Sequence, residues 1–135
     1  DLASEKASNR KQEDLKNRMK IIQDSDADLF ISIHANSFGS SSVHGIQLFY
    51  QSNNDISMQL CKMIHAKLQD VNEDILADKE GDYYVLKESK VPSILVECGF
   101  LSNPQDRDLL FQKQYQEKLA NRISEGILEY FVYFY

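Results

Sequence analysis

Apolar residues recur along this chain with two different periods, and the switches between them divide it into elements. The stretch up to about Asp24 is polar, but Leu15, Met19 and Ile22 sit at helical spacing, which predicts an amphipathic helix lying over a sheet. Asp28 to His34 (DLFISIH) is a short apolar run bounded by polar clusters and reads as a buried strand, followed by the loop Ser37 to Ser42. Val43 to Tyr50 reads as a second strand in which Gly45 marks a bulge or a close backbone approach. The period then becomes helical: Ser52 with Asp55 has the form of a capping box, and Ile56, Leu60, Met63, Ile64, Leu68 and Val71 make an inward stripe.

The second half repeats the alternation. Asn72 to Asp82 is acidic and predicts a surface loop, and Tyr83 to Leu86 is a brief apolar segment. Pro92 introduces Ser93 to Phe100, whose Ile94-Leu95-Val96 centre suits a strand buried on both faces. Asn103-Pro104 is an N-cap followed by a first-turn proline, opening a short helix through Leu110. A final helix starts near Gln114 with Tyr115, Leu119, Ile123, Ile127 and Phe131 facing inward, and its aromatic end, YFVYFY, suggests docking against the core or a partner. Strands alternating with helices predict an α/β chain, a three-layer α/β/α arrangement with a mostly parallel sheet, forming one domain over residues 1–135.

Composition narrows the functional classes. Fifteen Lys and Arg against 21 Asp and Glu give a formal charge of −6, which removes the basic footprint of a nucleic-acid binder. No apolar stretch reaches the roughly 20 residues that cross a bilayer. Of the two cysteines, Cys61 falls in a helical pattern and Cys98 at a strand end, so neither a disulfide framework nor a thiolate zinc knuckle is indicated. No G-x-S-x-G nucleophile elbow occurs.

Chemistry in such sheets collects beyond the carboxyl ends of strands. Two titratable residues end strands in this way: His34 closes DLFISIH and Glu97 follows PSILV. An isolated His34 would ordinarily be satisfied by a backbone carbonyl. Glu97 lies beside Ile94, Leu95 and Val96, where an ionised carboxylate is costly unless something compensates it. A structural partner such as Arg10, Arg18 or Arg107 would suffice, and a proton-transfer role would exploit the same burial. His44, at the start of the second strand, either lines a cleft or is a strand-edge side chain, with metal contact less favoured. His65, beside outward Lys67, reads as an exposed surface histidine.

Three blocks in order, ADLFISIHAN (27–36), VHGIQLFY (43–50) and VPSILVECGFLSNPQDRDLL (91–110), resemble the signature of zinc-dependent N-acetylmuramoyl-L-alanine amidases. The likeness extends over nearly the whole chain and is nearest to the germination-specific, spore-cortex amidases of the CwlD type. It implies hydrolysis of the bond between N-acetylmuramic acid and L-alanine in peptidoglycan, outside the cytoplasm in the cell wall or spore envelope. It also implies His34 as a zinc ligand, Glu97 as the catalytic glutamate, and Asn36, Gly99 and Asn103 shaping turns around the site. The family's other two Zn2+ ligands, a histidine in a glycine-rich loop and a glutamate on a helix, have no counterpart here, so the N-terminal strand and helix of the family domain are expected to be missing and the chain to be a C-terminal fragment. Pairing with that segment or with another chain follows. The rival expectation is an amidase-like module that binds peptidoglycan or a protein partner without cutting it.

Overall fold

The structure is a computed structural model and describes residues 2–37 and 39–135. In chain order the elements are α1 (Leu2–Asp24), β1 (Phe30–Asn36), β2 (Gln47–Gln51), α2 (Asp55–Leu68), β3 (Lys79–Gly81), α3 (Tyr84–Lys87), β4 (Ser93–Phe100), α4 (Pro104–Leu110) and α5 (Lys113–Phe134). Four strands form one sheet in the order β1-β4-β2-β3. β1 runs parallel to β4 and β2 parallel to β3, while β2 and β4 are antiparallel. Two of the three pairings are parallel, in keeping with the mostly parallel sheet expected from the pattern, and one antiparallel join lies at its centre.

Two apolar clusters make the layers. On one face Ile46, Leu48, Ile94 and Val96 pack with Leu60, Cys61, Ile64 and Leu68 of α2 and with Tyr115, Leu119, Ile123 and Tyr130 of α5. On the other, Leu95 packs with Met19 of α1 and Val85 and Leu86 of α3, joined by Phe30, Phe49 and Tyr83. β4 serves both faces, which is why its sequence is continuously apolar rather than alternating. Gly126 lets α5 lie directly on α2: a β-carbon there would fall 2.8 Å from the Ile64 α-carbon.

Several sequence expectations shift. The second strand begins at Gln47 rather than Val43, because Gly45 adopts φ 101° and carries the chain so close to Asp74 that a β-carbon would sit 2.7 Å from its carbonyl oxygen. The α2 cap is Asn54, whose side chain accepts from the Ser57 N–H, whereas the Ser52 hydroxyl reaches Glu80 instead of forming a capping box. The acidic 72–82 segment contains the short edge strand β3, and Tyr84–Lys87 coils into a helical turn. α5 starts at Lys113 and turns Tyr130, more than Phe131, into the core; Phe134 stacks near Tyr130, while Val132, Tyr133 and Tyr135 face solvent.

Candidate active site

His34 and Glu97 are register partners across the parallel β1–β4 pair. Side chains at matched positions of adjacent strands leave the sheet on the same face, and the strands lie roughly 4.8 Å apart, so imidazole and carboxyl share one rim. Gln47 stands opposite Glu97 on the other flank, in the antiparallel β2. Alternation places all three on the face of Leu95 and Phe49, the face that packs against α1 and α3.

The register slips between His34 and Asn36. Such an irregularity frees backbone groups from the ladder, and here it turns Asn36 onto the acid: the Asn36 N–H donates to Glu97 Oε1 at 2.7 Å and its Nδ2 to Oε2 at 2.6 Å. Glu97 is 1% exposed. Burial raises its carboxyl from an ordinary value of 4.5 to about 7, against the opposing pull of the two Asn36 bonds. The arginines considered as partners are engaged elsewhere: Arg10 with the Lys6 carbonyl, Arg18 with Asp14, Arg107 with the Leu101 carbonyl. The structural compensation for Glu97 is thus an amide and a proton rather than a cation.

His34 is half-buried, its Nε2 2.7 Å from the Ser32 hydroxyl. It opens onto a groove between β1 and α1, whereas Glu97 opens onto a cleft of about 260 Å³ beside β2 and β3; Asn36 borders both. The Cys98 thiol, pushed up to about 11 by burial and by Glu97, is no nucleophile at neutral pH.

The other histidines are tied down by carboxylates. His44 pairs through Nδ1 with Asp74, which raises its pKa by that hydrogen bond and by charge. His65, expected on the surface, is half-buried and bonds Asp78 Oδ1 at 2.7 Å, fixing the start of β3 to α2. Sequence reasoning also passed over Asp106. It is buried, and its Oδ2 accepts from both Gly45 and Phe100 N–H at 2.9 Å, clamping the β2 entry to the β4 exit. Asn103 caps α4 through the Asp106 N–H and holds the Ser41 carbonyl through Nδ2, so the serine loop is anchored to the same corner. The signal was Asn-Pro-x-Asp, in which the fourth residue can turn back past the cap.

Among the described residues no three His, Cys, Asp or Glu side chains converge as a metal would require. Catalytic zinc sites draw about three ligands from protein. His34 offers one of these, and Glu97 has both oxygens bonded to Asn36, so these residues alone do not fit a zinc centre. What the arrangement can do unaided is hold a proton at a buried carboxyl that ionises near neutrality, next to a cleft.

Comparison with known proteins gives this corner a context. The family model described as N-acetylmuramoyl-L-alanine amidase matches residues 4–129. The chain is 39% identical over 126 residues to the germination-specific N-acetylmuramoyl-L-alanine amidase of Bacillus subtilis, covering 92% of this chain and 53% of that protein. It is 36% identical to N-acetylmuramoyl-L-alanine amidase LytC of the same organism, covering 87% and 24%. Among solved structures, the CwlD amidase from Clostridioides difficile in complex with the GerS lipoprotein matches with a TM-score of 0.85 and 41% identity over 93% of this chain and 65% of that one. The chain thus spans about half the length of the first of these curated relatives and just under two thirds of the solved structure.

Proposed function

Because the chain belongs to the N-acetylmuramoyl-L-alanine amidase family, we propose that it takes part in hydrolysing the amide bond between N-acetylmuramic acid and L-alanine in peptidoglycan, with Glu97 as the proton-transfer residue. The observation that supports this reading is the buried Glu97 carboxyl, held by Asn36, free of any cation partner among the described residues, and titrating at about 7 beside a cleft. A general base works best when its pKa lies near the working pH, since it must both accept and return the proton. Glu97 takes the proton from the attacking water and gives it to the L-alanine nitrogen as the carbon–nitrogen bond breaks. Asn36 keeps both carboxyl oxygens in place for the two transfers.

His34 is the one ligand these residues contribute to a zinc centre, and the remaining donors belong to polypeptide other than the residues described, in the same protein or in a second chain. β1, at the sheet's edge, leaves a free rim for such a segment beside His34. On this reading the protein acts where peptidoglycan is, outside the cytoplasm. The donor count supports a second reading, a module that binds peptidoglycan without cutting it.

Digestion of purified peptidoglycan by the full-length protein separates the two. Hydrolysis releases stem peptides with a new free amino group on L-alanine and leaves glycan strands with intact lactyl carboxylates, both visible by mass spectrometry. Retention of muropeptides with no such products supports the binder. Zinc analysis of the full-length protein and of His34→Ala tests the metal assignment: the account expects zinc in the first and its loss in the second, and undiminished zinc in His34→Ala removes His34 as a ligand.

A further inference from the structure

The cleft beside Glu97 contains a single basic residue. Its lining runs from Glu97 past Gln47 and Phe49 to Lys79 and Tyr83, and Lys79 is the one Lys or Arg among the lining side chains. The sheet fixes the spacing. Gln47 is opposite Glu97, Phe49 lies two residues further along β2, and Lys79 is opposite Phe49 on β3. All four therefore project from one face. Two inter-strand steps of about 4.8 Å and a two-residue advance along the strand put the Lys79 and Glu97 α-carbons roughly 12 Å apart. Lys79 thus lines the same cleft as Glu97, one strand beyond Phe49.

The neighbours of Lys79 leave its charge unspent. Like most of the chain's lysines, Lys79 forms no ion pair with any described residue, but it alone of them lines this cleft. The nearby acids are engaged: Asp78 with His65, and Glu80, on the opposite face of β3, with the Ser52 hydroxyl. In a chain of net charge −6, an ammonium without an ion-pair partner among the described residues gives this cleft a local positive charge that can attract an anion.

Resting on the amidase reading, we propose that Lys79 is a specificity-determining residue that binds a free carboxylate of the stem peptide within two residues of the bond that is cut. The muramic acid cannot supply this anion, because its own carboxyl is consumed in the amide under attack. Free carboxylates near the bond belong to the peptide, so the cleft along β2 and β3 is the peptide side of the site and the groove by His34 lies away from it. Phe49 and Tyr83, in edge-to-face contact at 5.2 Å, form the apolar floor beneath the peptide backbone.

The test is a pair of synthetic muramyl peptides, identical except that the carboxylate of the second residue is free in one and amidated in the other. Each is cleaved by the full-length protein carrying wild-type Lys79, Lys79→Met or Lys79→Arg. Lys79→Met is expected to lower kcat/KM three- to tenfold on the acid, mainly through KM, with little change on the amide, the scale of one partly solvated charge pair. Lys79→Arg should keep the preference for the acid, and added salt should narrow it. Equal losses on both substrates, or no loss on the acid, overturn the assignment of Lys79 while leaving the amidase reading intact. A wild-type protein that cuts neither substrate overturns the amidase reading and this inference together.

Discussion

Replacing Glu97 with Gln should stabilise the protein, and by an amount that depends on pH. The substitution keeps the shape of the side chain and removes its ionisation. In the folded chain the carboxyl titrates at about 7, against 4.5 for the same group in water. Below pH 4.5 both folded and unfolded states hold the proton and the group contributes no pH dependence. Between 4.5 and 7 the unfolded chain releases its proton while the native chain keeps it, so native stability falls as pH rises. Above 7 both states are ionised and the loss is complete. At about 1.36 kcal/mol per unit, a shift of this size amounts to roughly 3 kcal/mol. The Glu97→Gln protein escapes it, because glutamine never charges. Urea unfolding of both proteins at pH 4 and pH 8 reads the effect: the variant should gain on wild type by about 1 to 3 M in midpoint between the two pH values, given ordinary urea slopes. Comparing the two proteins cancels all other titrations. A midpoint difference that stays flat from pH 4 to 8 would refute the claim that the native fold desolvates this carboxylate.

Three further outcomes follow from neighbouring contacts. The two Asn36 hydrogen bonds oppose the rise in the Glu97 pKa, so in Asn36→Ala the acidic limb of the pH–rate profile should move upward from about 7; an unmoved limb would mean that Asn36 does not tune the acid. Gly126→Ala drives a methyl to within 2.8 Å of the Ile64 backbone and should cost about 1–3 kcal/mol by chemical unfolding, as overpacking does, with Gly126→Ser no better. His44 is held above its usual 6.5 chiefly by the hydrogen bond that its Nδ1–H donates to Asp74. Its stabilising contribution is present below 6.5 and fades as pH rises through the folded value, and an NMR titration of Asp74→Asn should bring the His44 midpoint back towards 6.5.

The parts of this fold that could be read from sequence are those where one physical rule acts alone. The four-residue spacing in α2, from Leu60 through Ile64 to Leu68, admits only a helix with one buried face, and all three side chains are fully buried. Ile94-Leu95-Val96 admits only a strand covered on both sides. With His34 and Glu97 read near the carboxyl ends of two strands, which the structure extends to Asn36 and Phe100, their approach at one rim needed only the parallel pairing that the alternation of elements implied. Illegible features arise where several rules compete or where tertiary contact decides. Ser52, Asn53, Asn54 and Asp55 can each cap a helix, and the choice fell to Asn54 because Asn53 turns through φ 55° and leaves Asn54 extended. β3 is three residues of Lys, Glu and Gly with no apolar alternation; it is a strand because β2 offers it a ladder. The two bonds from Asn36 to Glu97 depend on a register slip, which no pattern of residue types encodes.

One carboxyl, Glu97, is assigned proton transfer at the amide bond of peptidoglycan. Turnover of a muramyl peptide by full-length wild-type protein and by Glu97→Gln, with zinc content measured on the same samples, tests it most directly. The account predicts a fall of roughly 100-fold or more with the metal content unchanged, the usual scale for losing general acid–base help. Turnover retained within a few-fold in Glu97→Gln would contradict it.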